Sequence, residues 1–153
     1  MGVDCYGKNP SSERGEHFQN SWWSWRPLAV YVLEVCKDVF EEGETIFWQS
    51  NDGQEVSAAT SLKIANRLRY LLDSGDVKKY KKGYDRRMGD LPDEQCKFCN
   101  STGTRTDRGD PFTCNACHGA GKVRPTVTCY LFTVENVDQF QKFCAASGGF
   151  QIC

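Results

Sequence analysis

Apolar residues recur at helical spacing in four parts of this chain. In residues 28–40, Leu28, Val32, Val35, Cys36, Val39 and Phe40 share one face, with Glu34, Lys37 and Asp38 opposite. Pro27 is suited to the first turn of that helix, and Glu41-Glu42-Gly43 ends it. A second helix is expected over residues 57–72, with Ala58, Leu62, Ala65, Leu68 and Leu72 as its stripe and Asp73-Ser74-Gly75 as its stop. A third, residues 77–88, lines up Val77, Tyr80, Tyr84 and Met88 and fills its remaining surface with Lys78, Lys79, Lys81, Lys82, Arg86 and Arg87. Asn136, with Gln139 three residues on, reads as the N-cap of a fourth, lined by Val137, Phe140 and Cys144 and ended by Gly148-Gly149. Strand signals are fewer. Residues 45–48 run into the turn Asn51-Asp52-Gly53. Residues 126–134 are rich in β-branched and aromatic side chains, and residues 150–152 return after the double glycine. Residues 1–20 are polar and turn-rich, and Pro10 to Glu13 reads as a turn or an irregular arm.

Residues 96–121 break this alternation. Cys96 and Cys99 form one CxxC pair and Cys114 and Cys117 another, with fourteen residues between the pairs. Two intervening residues let both sulfurs of a pair reach one ion, and two pairs supply a closed tetrahedral S4 set. Gly103, Gly119 and Gly121 lie where a sharp turn would aim backbone N–H groups at thiolates. The expected fold is therefore α+β: a small sheet with about four helices, formed by residues 1–93 and 123–153, carrying an inserted zinc hairpin at residues 94–122.

CNACHGAG, and CKFCNSTG with Ser101 in place of the first glycine, resemble the CxxCxGxG repeat of the DnaJ-type (Hsp40) zinc-binding region. In that family two repeats hold one zinc ion, so the resemblance implies one Zn2+ here and a hairpin that engages protein partners. It spans about 26 residues and includes neither a J-domain nor an HPD tripeptide. The chain as a whole, opening MGVDCYGKNP and closing SGGFQIC, is similar to small uncharacterised proteins of bacteria and their phages. Phage-type accessory proteins, including inhibitors of host defence, fit the class of non-catalytic interaction modules.

Composition narrows the function classes. Net charge is −1, but residues 78–124 hold eleven Lys/Arg against six Asp/Glu, a net of +5, which leaves −6 for the remainder. Four thiolates around Zn2+ would absorb part of that basic excess; the rest could attract nucleic acid or an acidic protein. No apolar run reaches membrane-spanning length, and Cys5, Cys36, Cys129, Cys144 and Cys153 form an odd, scattered set. Both features fit reduced thiols and a cytoplasmic location. No P-loop, GxGxxG or GxSxG is present, and the two histidines, His17 and His118, stand in no catalytic pattern. The expectation is thus a non-catalytic zinc-binding interaction module. Two alternatives remain. One is a small-ligand or nucleotide site in which the tryptophans of NSWWSWRP, Trp25 among them, form a stacking wall and Arg26, Asn51 and Asn20 supply polar contacts, the other reading of these tryptophans being ordinary aromatic core. The other is nucleic-acid binding along residues 78–124.

Overall fold

A computed structural model describes residues 2–50, 52–107 and 109–153. In chain order it runs β1 (Gly2–Gly7), β2 (His17–Ser21), α1 (Trp22–Val35), β3 (Gln54–Val56), α2 (Ala58–Asp73) and α3 (Asp76–Asp90). Four two-residue strands follow: β4 (Glu94–Gln95), β5 (Thr104–Arg105), β6 (Phe112–Thr113) and β7 (Lys122–Val123). Then come α4 (Val134–Ala146) and β8 (Phe150–Ile152). The fold is α+β. Contacts divide the chain into two compact units, residues 1–85 with 130–153, and residues 86–129.

The first unit is built on an antiparallel sheet in the order β2-β1-β8-β3. The turn expected at Pro10 to Glu13 is present, but it joins two strands that the sequence did not signal, the central β1 and the edge β2. The strand signal in β1 is short because Gly2 and Gly7 bound it, yet Val3 and Cys5 alternate inward with Asp4 and Tyr6. Gly15, between these strands, sits so close to α4 that a Cβ there would lie 2.1 Å from the Ala146 carbonyl oxygen. One sheet face carries the core. Val3, Cys5, Phe18, Val56, Phe150 and Ile152 pack with Trp25, Leu28 and Val32 of α1, Ile64 and Leu68 of α2, and Phe140 and Phe143 of α4. Phe140 lies at the centre, its ring within 6.1 Å of Phe18, Trp25, Trp48, Phe143 and Phe150.

Local chemistry moves several element boundaries. Helix α1 starts at Trp22 because Ser21 caps it, its Oγ accepting from Ser24 N at 3.2 Å. Pro27 therefore lies inside the helix, not in its first turn. It has no N–H to give the Trp23 carbonyl, and Leu131 N donates there instead at 3.2 Å. The helix stops at Val35, short of residue 40. Arg67 donates to the Val35 carbonyl at 2.6 Å and grips Asp38 with two further bonds. The expected strand at 45–48 is a run of turns in which the Trp48 indole N–H donates to the Glu44 carbonyl at 2.7 Å; the strand lies instead at β3. Residues 126–134 form a 3-10 turn, an extended link and the start of α4 rather than a strand. Thr133, not Asn136, caps α4, its Oγ1 accepting from Asn136 N at 3.2 Å. Leu62 faces solvent, and the buried stripe of α2 is Thr60, Ser61, Ile64, Ala65 and Leu68. The helical stop at Gly148-Gly149 and the return strand β8 are as expected.

Glu44 anchors the turn-rich segment before β3. Its carboxylate accepts from Glu41 N at 2.9 Å and Ser57 N at 2.7 Å. Burial opposes its charge, but these bonds outweigh that and hold the carboxyl below the usual range.

Candidate metal centre

The second unit buries little besides sulfur. Its buried cluster is Cys96, Cys99, Cys114 and Cys117, with Val123 partly buried against them. The two cysteine pairs stand in two copies of one turn, offset by eighteen residues. Ser101 N donates to the Cys96 carbonyl as Gly119 N does to that of Cys114. Gly103 N donates to Cys99 Sγ as Gly121 N does to Cys117 Sγ, both at 3.3 Å. The copies then cross-link: Cys96 N donates to the Gly121 carbonyl at 2.9 Å, and Cys114 N to that of Gly103 at 2.8 Å. β4 pairs with β7 and β5 with β6, each pair antiparallel. The result is a local two-fold arrangement.

Glycine is needed where the copies meet. A Cβ on Gly103 would lie 2.3 Å from the Gly119 carbonyl oxygen, and one on Gly121 would lie 2.3 Å from that of Ser101. Ser101 itself takes φ +68°, so the residue that departs from the glycine pattern still adopts the left-handed conformation of Gly119, φ +84°.

The four Sγ atoms all lie within 4.8 Å of one another. Cys96 and Cys114 sulfurs are 3.9 Å apart, those of Cys99 and Cys117 3.7 Å. A Zn–S bond of about 2.3 Å gives a tetrahedron edge of about 3.8 Å, whereas a disulfide needs about 2.05 Å. The donor set thus fits one tetrahedral metal ion. Burial pushes the Cys96 thiol up to about 11; a divalent cation among the sulfurs offsets that penalty and favours thiolate. His118, φ +50°, is exposed on the turn beyond Cys117. Arg124 braces the base of this unit, donating to the Leu91 and Met88 carbonyls, each at 2.6 Å, and to Asp93 at 3.2 Å. Sequence reading passed over this residue, because its carbonyl acceptors carry no side-chain signature.

Comparison of the chain with known protein families, characterised proteins and solved structures finds no match.

The other expected site residues are dispersed. Trp25 is wholly buried. It stacks at 5.8 Å on Trp48, and its indole N–H donates to the Trp48 carbonyl at 2.7 Å. The two meet inside the core, where Trp25 offers no face to a ligand. Asn51 lies outside the described residues. Asn20 is engaged by Asn136. Arg26 is exposed, its guanidinium over the Trp22 ring at 5.0 Å and the Tyr130 ring at 5.6 Å. Along α3, Lys78, Lys79, Lys82, Arg86 and Arg87 are exposed, and Lys81 pairs with Asp85. Among the remaining cysteines, Cys5, Cys36 and Cys144 are buried free thiols, and burial pushes Cys36 up to about 12. Cys129 is exposed and Cys153 half-buried. No described helix is long and apolar enough to cross a membrane.

Beside the first cysteine turn, a cleft of about 480 Å³ is lined by Phe98, Asn100, Thr102 and Arg105, among others. Phe98 is 69% exposed. Arg105 lies between the Phe98 and Phe112 rings, 5.9 and 5.7 Å from their centroids, and bonds Asp107. The equivalent position on the second turn is Ala116, so the two halves of the centre present different surfaces.

Proposed function

We propose that the protein is a non-catalytic, zinc-binding interaction module. The observation that carries this reading is the closed set of four cysteine sulfurs at tetrahedral spacing. Four soft thiolates select zinc over hard cations, and with all four corners taken no position is left for water or substrate. Zinc here is a fold-forming ion rather than a reagent. Its effect is to fix the turns that carry the exposed Phe98 and the cleft beside it, a rigid aromatic feature of the kind that protein partners recognise. A phage-encoded accessory protein that inhibits host defence is one form such a module would take. The test combines metal analysis with quantitative capture of partners from the host. One zinc per chain is expected, with capture lost in Phe98→Ala and in Cys114→Ser. A metal-free native protein, or capture indifferent to both variants, contradicts the reading.

A further inference from the structure

A second exposed aromatic surface lies on the first unit, and its chemistry specifies what would cover it. Trp23, Arg26 and Val30 share one face of α1, at positions i, i+3 and i+7. Trp23 is 46% exposed, Val30 51% and the adjoining Leu131 61%. The link before α4 is fastened to this face: Leu131 N donates to the Trp23 carbonyl that Pro27 leaves free, the Tyr130 ring lies 5.1 Å from that of Trp23, and the Tyr84 hydroxyl donates to the Tyr130 carbonyl at 2.9 Å.

Arg26 is set in this surface. Its guanidinium lies over Trp22 and Tyr130 and donates one bond to the Tyr130 hydroxyl at 3.2 Å. Among the described residues it has no carboxylate partner, and its other N–H groups have no protein acceptor. Free in water, such a cation is stable. Covered by an apolar partner, it would become a buried unpaired charge, which costs several kcal/mol. Trp, Tyr and Arg together are also the residue types that dominate binding energy at protein interfaces. The outer face of a helix suits a protein segment better than a small molecule. A lone guanidinium suits a singly charged carboxylate, since phosphate calls for several cations.

We propose that the Trp23–Arg26–Tyr130 surface docks a partner-protein segment that presents an Asp or Glu carboxylate between apolar side chains. The carboxylate pairs with Arg26, and the apolar neighbours cover Trp23 and Leu131. This rests on the interaction-module reading and names the partner chemistry for a face separate from the metal centre.

The test is selection from an unbiased displayed peptide library against the intact zinc-loaded chain, followed by anisotropy titration of the enriched peptides. The expected consensus is an acidic residue flanked by apolar ones. Arg26→Gln should weaken binding roughly thirtyfold or more, and Trp23→Ala at least about tenfold. Replacing the acidic residue of the peptide with its amide should reproduce the Arg26→Gln loss and add little to it. That peptide-side change keeps the test decisive if Arg26→Gln fails to fold. Enriched peptides that lack an acid, or that ignore both changes, overturn this proposal and leave the interaction module standing. No enrichment at all overturns both, while the metal site stands or falls on its own analysis.

Discussion

Phe140 sits among five aromatic rings drawn from both ends and the middle of the chain. Among the described residues, the second unit buries four sulfurs and has Val123 alone of its hydrophobic side chains packed against them. One unit is held by apolar area, the other by a few polar atoms that need a cation. The first should tolerate loss of metal, and the second should not. The difference also decides how mutations should spread: damage to the aromatic core is paid in global stability, damage to the cysteines in local order.

The largest effect follows from the cysteines. Structural zinc sites contribute roughly 10–16 kcal/mol of binding free energy that is also folding free energy. Cys114→Ser, or chelation of the wild type, should abolish amide-exchange protection in residues 94–123 while β1, α2 and α4 stay protected. Simultaneous loss in both units would erase the distinction between them. Phe140→Ala is the mirror experiment. It should cost about 3–5 kcal/mol in denaturant unfolding of the first unit, with zinc content unchanged.

The contrast explains what could be read from the sequence. The cysteine centre is local: CxxC spacing, the eighteen-residue offset and the glycines all lie within one short segment, so spacing within that segment points to it. The helices were legible for the same reason, as stripes within one window. The sheet was not. β1 offers only Val3 and Cys5 as inward apolar positions between its terminal glycines, and it is made central by pairing with β8 at the far end of the chain. The residues 126–134 that looked most like a strand have no partner strand and turn instead. The tryptophans show the limit most clearly. Their chemistry was visible, but which ring was buried depended on Ser21 starting α1 six residues before Pro27. That start rotates Trp25 into the core and leaves Trp23 and Arg26 outside. Tyr130, which completes the outer surface, is distant in sequence and gave no signal.

Smaller effects sharpen the same comparison. Glu44→Gln should destabilise the first unit by roughly 1–3 kcal/mol near neutral pH, because two backbone N–H groups lose a charged acceptor. Since the folded carboxyl titrates below its ordinary value, its contribution is present above the unfolded pKa and disappears as pH falls through the folded one. Stability curves of wild type and variant should therefore converge in acid; a gap that widens there contradicts the assignment. Ser101→Gly relieves a left-handed non-glycine residue and should stabilise the metal-bound hairpin by about 1 kcal/mol, read as slower zinc loss to a chelator. Smallest of all, charge reversal at Lys78, Lys79 and Lys82 should move stability by no more than about 0.5 kcal/mol, because these side chains are exposed. If the same variant abolishes a salt-sensitive gel shift with nucleic acid, the basic helix is a contact surface; a shift unchanged by the reversal rules that out.

The central claim is that four cysteines and one metal ion take the place of a core in the second unit. Native mass spectrometry of the intact chain, purified without added zinc, tests it most directly. One zinc per chain is expected, absent in Cys114→Ser and retained in Phe140→Ala. Two zinc ions, none, or full retention in Cys114→Ser would contradict it.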